Sequence, residues 1–209
     1  ASDEVESLPK FARDGWNTLF APTLYSLLAS SENPWAVISP SRANDAVREI
    51  QEIIDVCFPC SSYLVRWNDA IMKKRLYDKR SMIGKSALST VSAFFKGKSE
   101  AEIKEYAAYA LTKDGPALWK VPAPAGIGAT SGALRSPVGL FESSFMADTL
   151  GPFLKLTQSS QIEYGHPTGG LALSAAAVER AFKSFVTGTK VDIGSFCEKK
   201  TREMVEDYV

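Results

Sequence analysis

The residues best suited to acid–base chemistry lie between positions 163 and 167, where the only histidine, His166, follows Glu163 and Tyr164. An imidazole that titrates near neutral pH, beside a carboxylate and a phenol, is the material of proton transfer. Thr168-Gly169-Gly170 follows and opens a helical pattern, whose free N–H groups suit an anion. These residues are the candidate catalytic or small-molecule site. The plainer alternative is a tight turn in which the glycines permit close helix packing and His166 bonds a backbone carbonyl. A single histidine excludes any centre that needs two, which covers most catalytic zinc sites. The sequence also contains no Gly-x-Ser-x-Gly element, no kinase-like set and no His-Glu-x-x-His pair.

Cys57-Phe58-Pro59-Cys60 has the spacing of redox and zinc motifs. A thioredoxin-like motif expects a strand before it, whereas the residues before Cys57 read as a helix. A zinc site would need two more ligands, and only Cys197 and His166 are left to supply them. The context favours ordinary thiols at a helix end over redox chemistry or metal binding, and no cofactor is expected. Gly84-Lys85-Ser86 has the form of the end of a phosphate-binding loop, but that motif needs a glycine where Lys79 stands and a strand leading into it. Nucleotide hydrolysis is set aside.

Charge supplies a different candidate. Twenty-four basic and twenty-four acidic residues cancel over the 209 positions, yet they are not mixed evenly. Residues 1–55 carry four basic and nine acidic side chains, and residues 56–98 carry nine basic and two acidic. Arg66, Lys73, Lys74, Arg75, Lys79, Arg80 and Lys85, with Trp67 and Tyr77 among them, interleave cations with aromatic rings, the combination that holds phosphates and stacks bases. A nucleic acid or another phosphate-rich partner is the functional expectation. A solvated basic helix face that complements the acidic first quarter is the structural one.

The elements that must position these residues read as helix after helix. Trp16, Phe20, Leu24 and Leu28 recur at helical spacing around Pro22, and Ser39-Pro40 opens a second helix with Val47, Ile50, Ile54 and Cys57 on one face. Ser61 to about Phe95 continues the helical pattern with a break expected near Tyr77 to Arg80. Ser99 with Glu102, and Ser195 with Glu198, form capping-box patterns. Phe141 to Leu156 and Leu171 to Phe185 give two more helices. Between Val121 and Gly139 the composition shifts to Pro, Gly, Ala and Ser, which marks a loop and a candidate boundary between two lobes. Period-2 alternation appears only near residues 63–67 and 190–193. The expected fold class is all-α: a polar lead-in over residues 1–8, then one multi-helix domain of eight to ten helices over residues 9–209.

Composition agrees with a globular protein: 45% hydrophobic and 23% charged residues exclude disorder, collagen-like repeats and a disulfide scaffold. The charge-free run 121–134 is broken by prolines and glycines, and no apolar run reaches the length of a membrane span. Three cysteines and no leader pattern point to an intracellular protein, cytoplasmic or nuclear. The chain opens Ala-Ser without a methionine and closes inside a helical pattern, as an excised piece of a longer protein would.

Several phrases carry a resemblance: Ser30-Ser31-Glu32-Asn33-Pro34-Trp35, Asp114-Gly115-Pro116-Ala117-Leu118-Trp119 followed by Pro122 and Pro124, and Gly139-Leu140-Phe141-Glu142-Ser143. Tyr164-Gly165-His166-Pro167, leading into Val178-Glu179-Arg180-Ala181-Phe182, completes the set. Together they resemble a helical domain of unknown function found in many copies in mushroom-forming fungi. The resemblance implies a fungal, intracellular protein, often the folded part of a longer chain, and assigns no residue a role. The expected function is a helical binding or protein-interaction domain, with nucleic acid, a protein partner or self-association as what it contacts. The alternatives are an enzyme with a site around Glu163 and His166, and a structural self-assembly domain.

Overall fold

The structure is a computed structural model that describes residues 10–67, 70–125 and 136–208, with the backbone alone for 70–73. Among these residues there are seven α-helices: α1 (Ala21–Ser30), α2 (Ala43–Cys57), α3 (Ala70–Phe95), α4 (Glu100–Ala110), α5 (Ser144–Lys155), α6 (Thr168–Lys183) and α7 (Glu198–Glu206). Two short strands, β1 (Trp119–Val121) and β2 (Val138–Leu140), pair antiparallel. The fold is therefore mostly helical rather than strictly all-α, and it has fewer helices than the eight to ten expected.

Contacts divide the chain into two units, Ala1–Lys79 with Phe153–Gly170 and Arg80–Pro152 with Leu171–Val209. The division falls inside α3, α5 and α6, and the Pro/Gly-rich segment lies wholly in the second unit. That segment begins and ends in the paired strands; its residues 126–135, like the expected lead-in 1–8, lie outside the described residues.

In the first unit a π-helical turn, Trp16–Phe20, runs directly into α1, with Pro22 in the first turn, where its missing N–H costs nothing. Ser39 caps the next element: its Oγ accepts from the Ser41 N–H at 3.4 Å, and Pro40–Arg42 forms a 3-10 turn that feeds α2. Ala46, Ile50, Ile53, Ile54 and Cys57 make the buried face of α2. They share the unit's core with Phe20, Leu24, Leu28, Trp35 and Val37.

In the second unit α3 supplies Ile83, Ala87, Val91 and Phe95, all buried. The break expected near Tyr77 to Arg80 is absent, and 26 residues form one helix. No proline interrupts them, and Leu76, Ile83, Ala87 and Val91 keep one apolar row through the charged stretch. Phe95, Tyr106, Phe145, Phe182 and Phe185 then pack edge-to-face or tilted, with Phe95 to Phe185 at 4.9 Å and Phe145 to Phe182 at 4.9 Å.

The strands escape sequence reading because each is three residues long, and the stretches that did alternate, 63–67 and 190–193, form no strand. The capping box at α7 is also displaced. Cys197 stands at the N-cap without a side-chain bond, because Arg180 holds the carbonyls of Ile193 (2.9 Å) and Gly194 (2.6 Å) and keeps the chain extended past Ser195.

At α4 the capping box forms as expected: the Ser99 hydroxyl accepts from the Glu102 N–H, and Glu102 Oε2 accepts from the Ser99 N–H at 2.8 Å. The Ser99 side-chain and backbone bonds hold the Glu102 carboxyl below its ordinary value of 4.5. A depressed carboxylate stabilises the fold above its unfolded pKa and loses that contribution as pH falls through the folded one. We expect Ser99→Ala to be less stable than wild type at neutral pH, with the gap narrowing below about pH 4.5. Paired thermal melts between pH 7 and pH 3 measure this, and a gap independent of pH would remove Glu102 from the explanation.

Candidate functional site

The structure separates the residues expected to form an acid–base site. Chain direction alternates from Gln161 to Tyr164, so Ile162 and Tyr164 turn inward while Glu163 faces solvent, and His166 is also exposed. The Tyr164 hydroxyl is buried without a hydrogen-bond partner, and burial together with the charges of Glu52 and Glu49 pushes its pKa well up. Glu163, Tyr164 and His166 therefore present no shared reacting centre. The opening of α6 is filled as well. A Cβ on Gly169 would overlap the Ser31 carbonyl oxygen and lie 3.2 Å from that of Leu28. The helix start lies against the carbonyl end of α1, where the Thr168 hydroxyl donates to the Ser30 carbonyl at 3.4 Å.

The two cysteines diverge in the same way. Cys57 is buried, its Sγ 3.8 Å from the Thr23 hydroxyl, and burial raises its pKa despite that bond, opposite to the activation a redox thiol needs. Cys60 is exposed and Cys197 half-buried, and no group of three metal-binding side chains occurs among the described residues. Gly84 has a packing reason too: a Cβ there would lie 2.7 Å from Cγ of Phe196, while Ser86 bonds the Asp148 carbonyl.

The basic series disperses. Arg66, Lys74 and Lys85 are exposed and Arg75 is half-buried, but Arg80 is 2% exposed. Lys79 lies over the Tyr25 ring at 5.0 Å, and burial followed by the neighbouring Arg75 charge lowers its pKa. The Lys73 side chain lies outside the described residues.

A site that sequence reading missed lies in the second unit, where β1 and β2 form a two-stranded ribbon. The register pairs Trp119 with Leu140 and Val121 with Val138. Residues two apart on a strand share a face, so these four side chains line one side of the ribbon. Val121, Val138 and Leu140 are 48%, 60% and 44% exposed. On the other side Lys120 pairs with Glu142 at 3.3 Å.

At the ribbon's base lies a groove of about 450 Å³ between Ala110–Lys113, Ala117–Trp119, Leu140, Phe141, Glu179, Asp207 and Tyr208. The Tyr208 hydroxyl donates to Glu179 Oε2 at 3.0 Å, and Lys183 pairs with Glu179 Oε1 at 2.7 Å. Burial, then the Glu179 charge and bond, then the Asp207 charge push the Tyr208 phenol well above its ordinary value. Phe141 meets the Tyr208 ring edge-on at 5.9 Å, and the Trp119 indole N–H donates to the Lys113 carbonyl at 3.0 Å.

Phe141 has φ of 64°, the only non-glycine residue in the left-handed region among the described residues. That conformation crowds its Cβ against the following carbonyl.

Comparison with protein-family models, with curated proteins and with solved structures returns no match for the chain. The groove thus stands on its own geometry. Three of the quoted phrases, Asp114–Trp119, Gly139–Ser143 and Val178–Phe182, supply half of its lining residues, and this convergence was the signal available in the sequence.

Two substitutions test these assignments. Gly169→Ala is expected to destabilise the protein by roughly 1–3 kcal/mol, since backbone rather than a side chain must yield. An unchanged melting temperature would sink the close-packing account. Phe141→Gly and Phe141→Ala both remove the ring, but only glycine relieves the backbone, so the glycine variant is expected to be more stable by about 1 kcal/mol. Equal denaturant midpoints for the two would show that no strain is held there.

Proposed function

We propose that the protein is a helical protein-interaction domain whose docking surface is the apolar face of the β1–β2 ribbon with the groove at its base. The observation that carries this reading is the alignment of Trp119, Val121, Val138 and Leu140 on one side of a two-stranded sheet, three of them exposed. A two-stranded ribbon is marginal by itself, and aligned exposed apolar side chains mark places where another surface completes the packing. That so much of the groove comes from the phrases resembling the fungal helical family supports treating it as the working part of the domain.

A nucleic-acid or phosphate-rich partner receives less support. With Arg80 buried and Lys79 drawn over Tyr25, the basic series offers fewer free cations than its sequence density promised. An enzyme around Glu163 and His166 would need those side chains to face a common cavity, and both are exposed to solvent instead. That no helix among the described residues is long and apolar enough to cross a membrane agrees with a partner met in water.

Site-specific photo-cross-linking tests the proposal. A benzophenone side chain placed at Val138 should give discrete adducts in an extract of the source organism, a doubled chain mass identifying a second copy. The same group at exposed Lys190 should not. Leu140→Glu should suppress the Val138 adducts. Equal adducts from both positions, or indifference to Leu140→Glu, would overturn the reading.

A further inference from the structure

The groove at the base of the ribbon combines two features that neither the helical core nor the apolar ribbon face requires: aromatic walls and, at Asp207, an exposed carboxylate. Trp119, Phe141 and Tyr208 contribute rings, and Glu179 and Asp207 contribute carboxylates. Glu179 is committed to Lys183 and to the Tyr208 hydroxyl. Asp207 is exposed and has no ion-pair partner among the described residues. Among the described residues Lys113 is the one cation that lines the groove, and it is exposed.

We infer that this groove receives an organic cation, the lysine or arginine head group of the protein segment that docks on the ribbon. The inference rests on the interaction reading and adds the chemistry of its partner. An aromatic face attracts a cation through the ring quadrupole, and a nearby carboxylate supplies the full opposite charge. The other ligand classes fit less well. A wholly apolar occupant would strip water from Asp207 and Glu179 without replacing their hydrogen bonds. An anion would leave the Asp207 carboxylate without a counter-charge, since Lys183 is already held by Glu179. A cation joined to an extended apolar segment satisfies both parts of the surface at once, its alkyl neighbours against Val121, Val138 and Leu140 and its charge beside Asp207.

The test uses a cation and its neutral isostere on the whole protein. Choline and 3,3-dimethylbutan-1-ol have nearly the same shape and differ in charge. The indole N–H resonance of Trp119, assigned by Trp119→Phe, reports occupancy. Choline should shift that resonance saturably and bind about fivefold or more tightly than the alcohol, as a cation–aromatic contact requires. Asp207→Asn and Phe141→Gly should each weaken choline binding by a similar factor, with melting curves confirming that both variants fold. Equal binding of the two probes, a choline response untouched in both variants, or no saturable response would overturn the inference. Cross-linking at Val138 that persists without any choline response sinks the cation alone and leaves the interaction reading in place. Choline binding with no cross-linking at Val138 sinks the interaction reading, and with it the assignment of the cation to a partner segment.

Discussion

One buried hydroxyl holds the ribbon and groove in place. Ser143 Oγ donates to the Ala117 carbonyl at 2.7 Å and accepts from the Met146 N–H at 3.1 Å, while the Ser143 N–H reaches the Leu118 carbonyl. The first bond ties down the chain just before β1, and the second caps α5 just after β2. A single residue therefore fixes both ends of the ribbon's base. Because Ser143 is 3% exposed, neither partner could turn to water if the hydroxyl were lost, and an unsatisfied buried carbonyl costs roughly 1–3 kcal/mol. Phe141 sits between two constraints, the Trp119–Leu140 register on one side and the Ser143 anchor on the other. Its left-handed backbone is what joins them, and it places the ring against Tyr208.

Behind the groove, α6 shows how a packed helix spends its few polar residues. Ala172, Leu173, Ala175, Ala176, Ala177, Val178, Ala181 and Phe182 are all buried, more of the circumference than one amphipathic stripe provides. Its charged residues are Glu179, Arg180 and Lys183. Glu179 faces the groove and fixes Tyr208, and Lys183 supports Glu179. Arg180 reaches the other way, to the carbonyls of Ile193 and Gly194, and sets where α7 begins. Glu179 and Arg180 thus each organise a neighbouring segment, so the aromatic core and the surface site are parts of one arrangement.

Much of the helical framework was legible because it depends on local signals: Ser39-Pro40 before α2, the capping box at Ser99 and Glu102, and apolar spacing along α6. Where tertiary contacts override local preference, the sequence misled. Ser195 and Glu198 carry the capping pattern, but Arg180, fifteen residues earlier than Ser195, decides the start of α7. Tyr77 to Arg80 reads as a break because charges crowd there, while Leu76 and Ile83 on the buried side keep the helix continuous. The groove was illegible for a related reason. Its rings and carboxylates come from positions 119, 141, 179, 207 and 208, and no periodicity connects residues brought together only by a ribbon and two helices.

The balanced net charge takes its meaning from the same geometry. Part of the acidic first quarter is neutralised at short range, Arg42 to Glu49 at 2.8 Å and Arg48 to Asp45 at 2.9 Å. Part of the basic stretch is withdrawn from solvent at Lys79 and Arg80. What any partner would meet is decided over a distance of about 8 Å, the reach of a charge at physiological salt, and not by the sum over the chain. On that scale the groove is an aromatic surface bearing the exposed Asp207 carboxylate, set in a protein of zero net charge. Such local contrast steers a partner's orientation more than its overall affinity. In the proposed docking, an apolar strip beside the Asp207 carboxylate would distinguish the two directions in which an extended segment could lie, which a uniformly apolar strip would not.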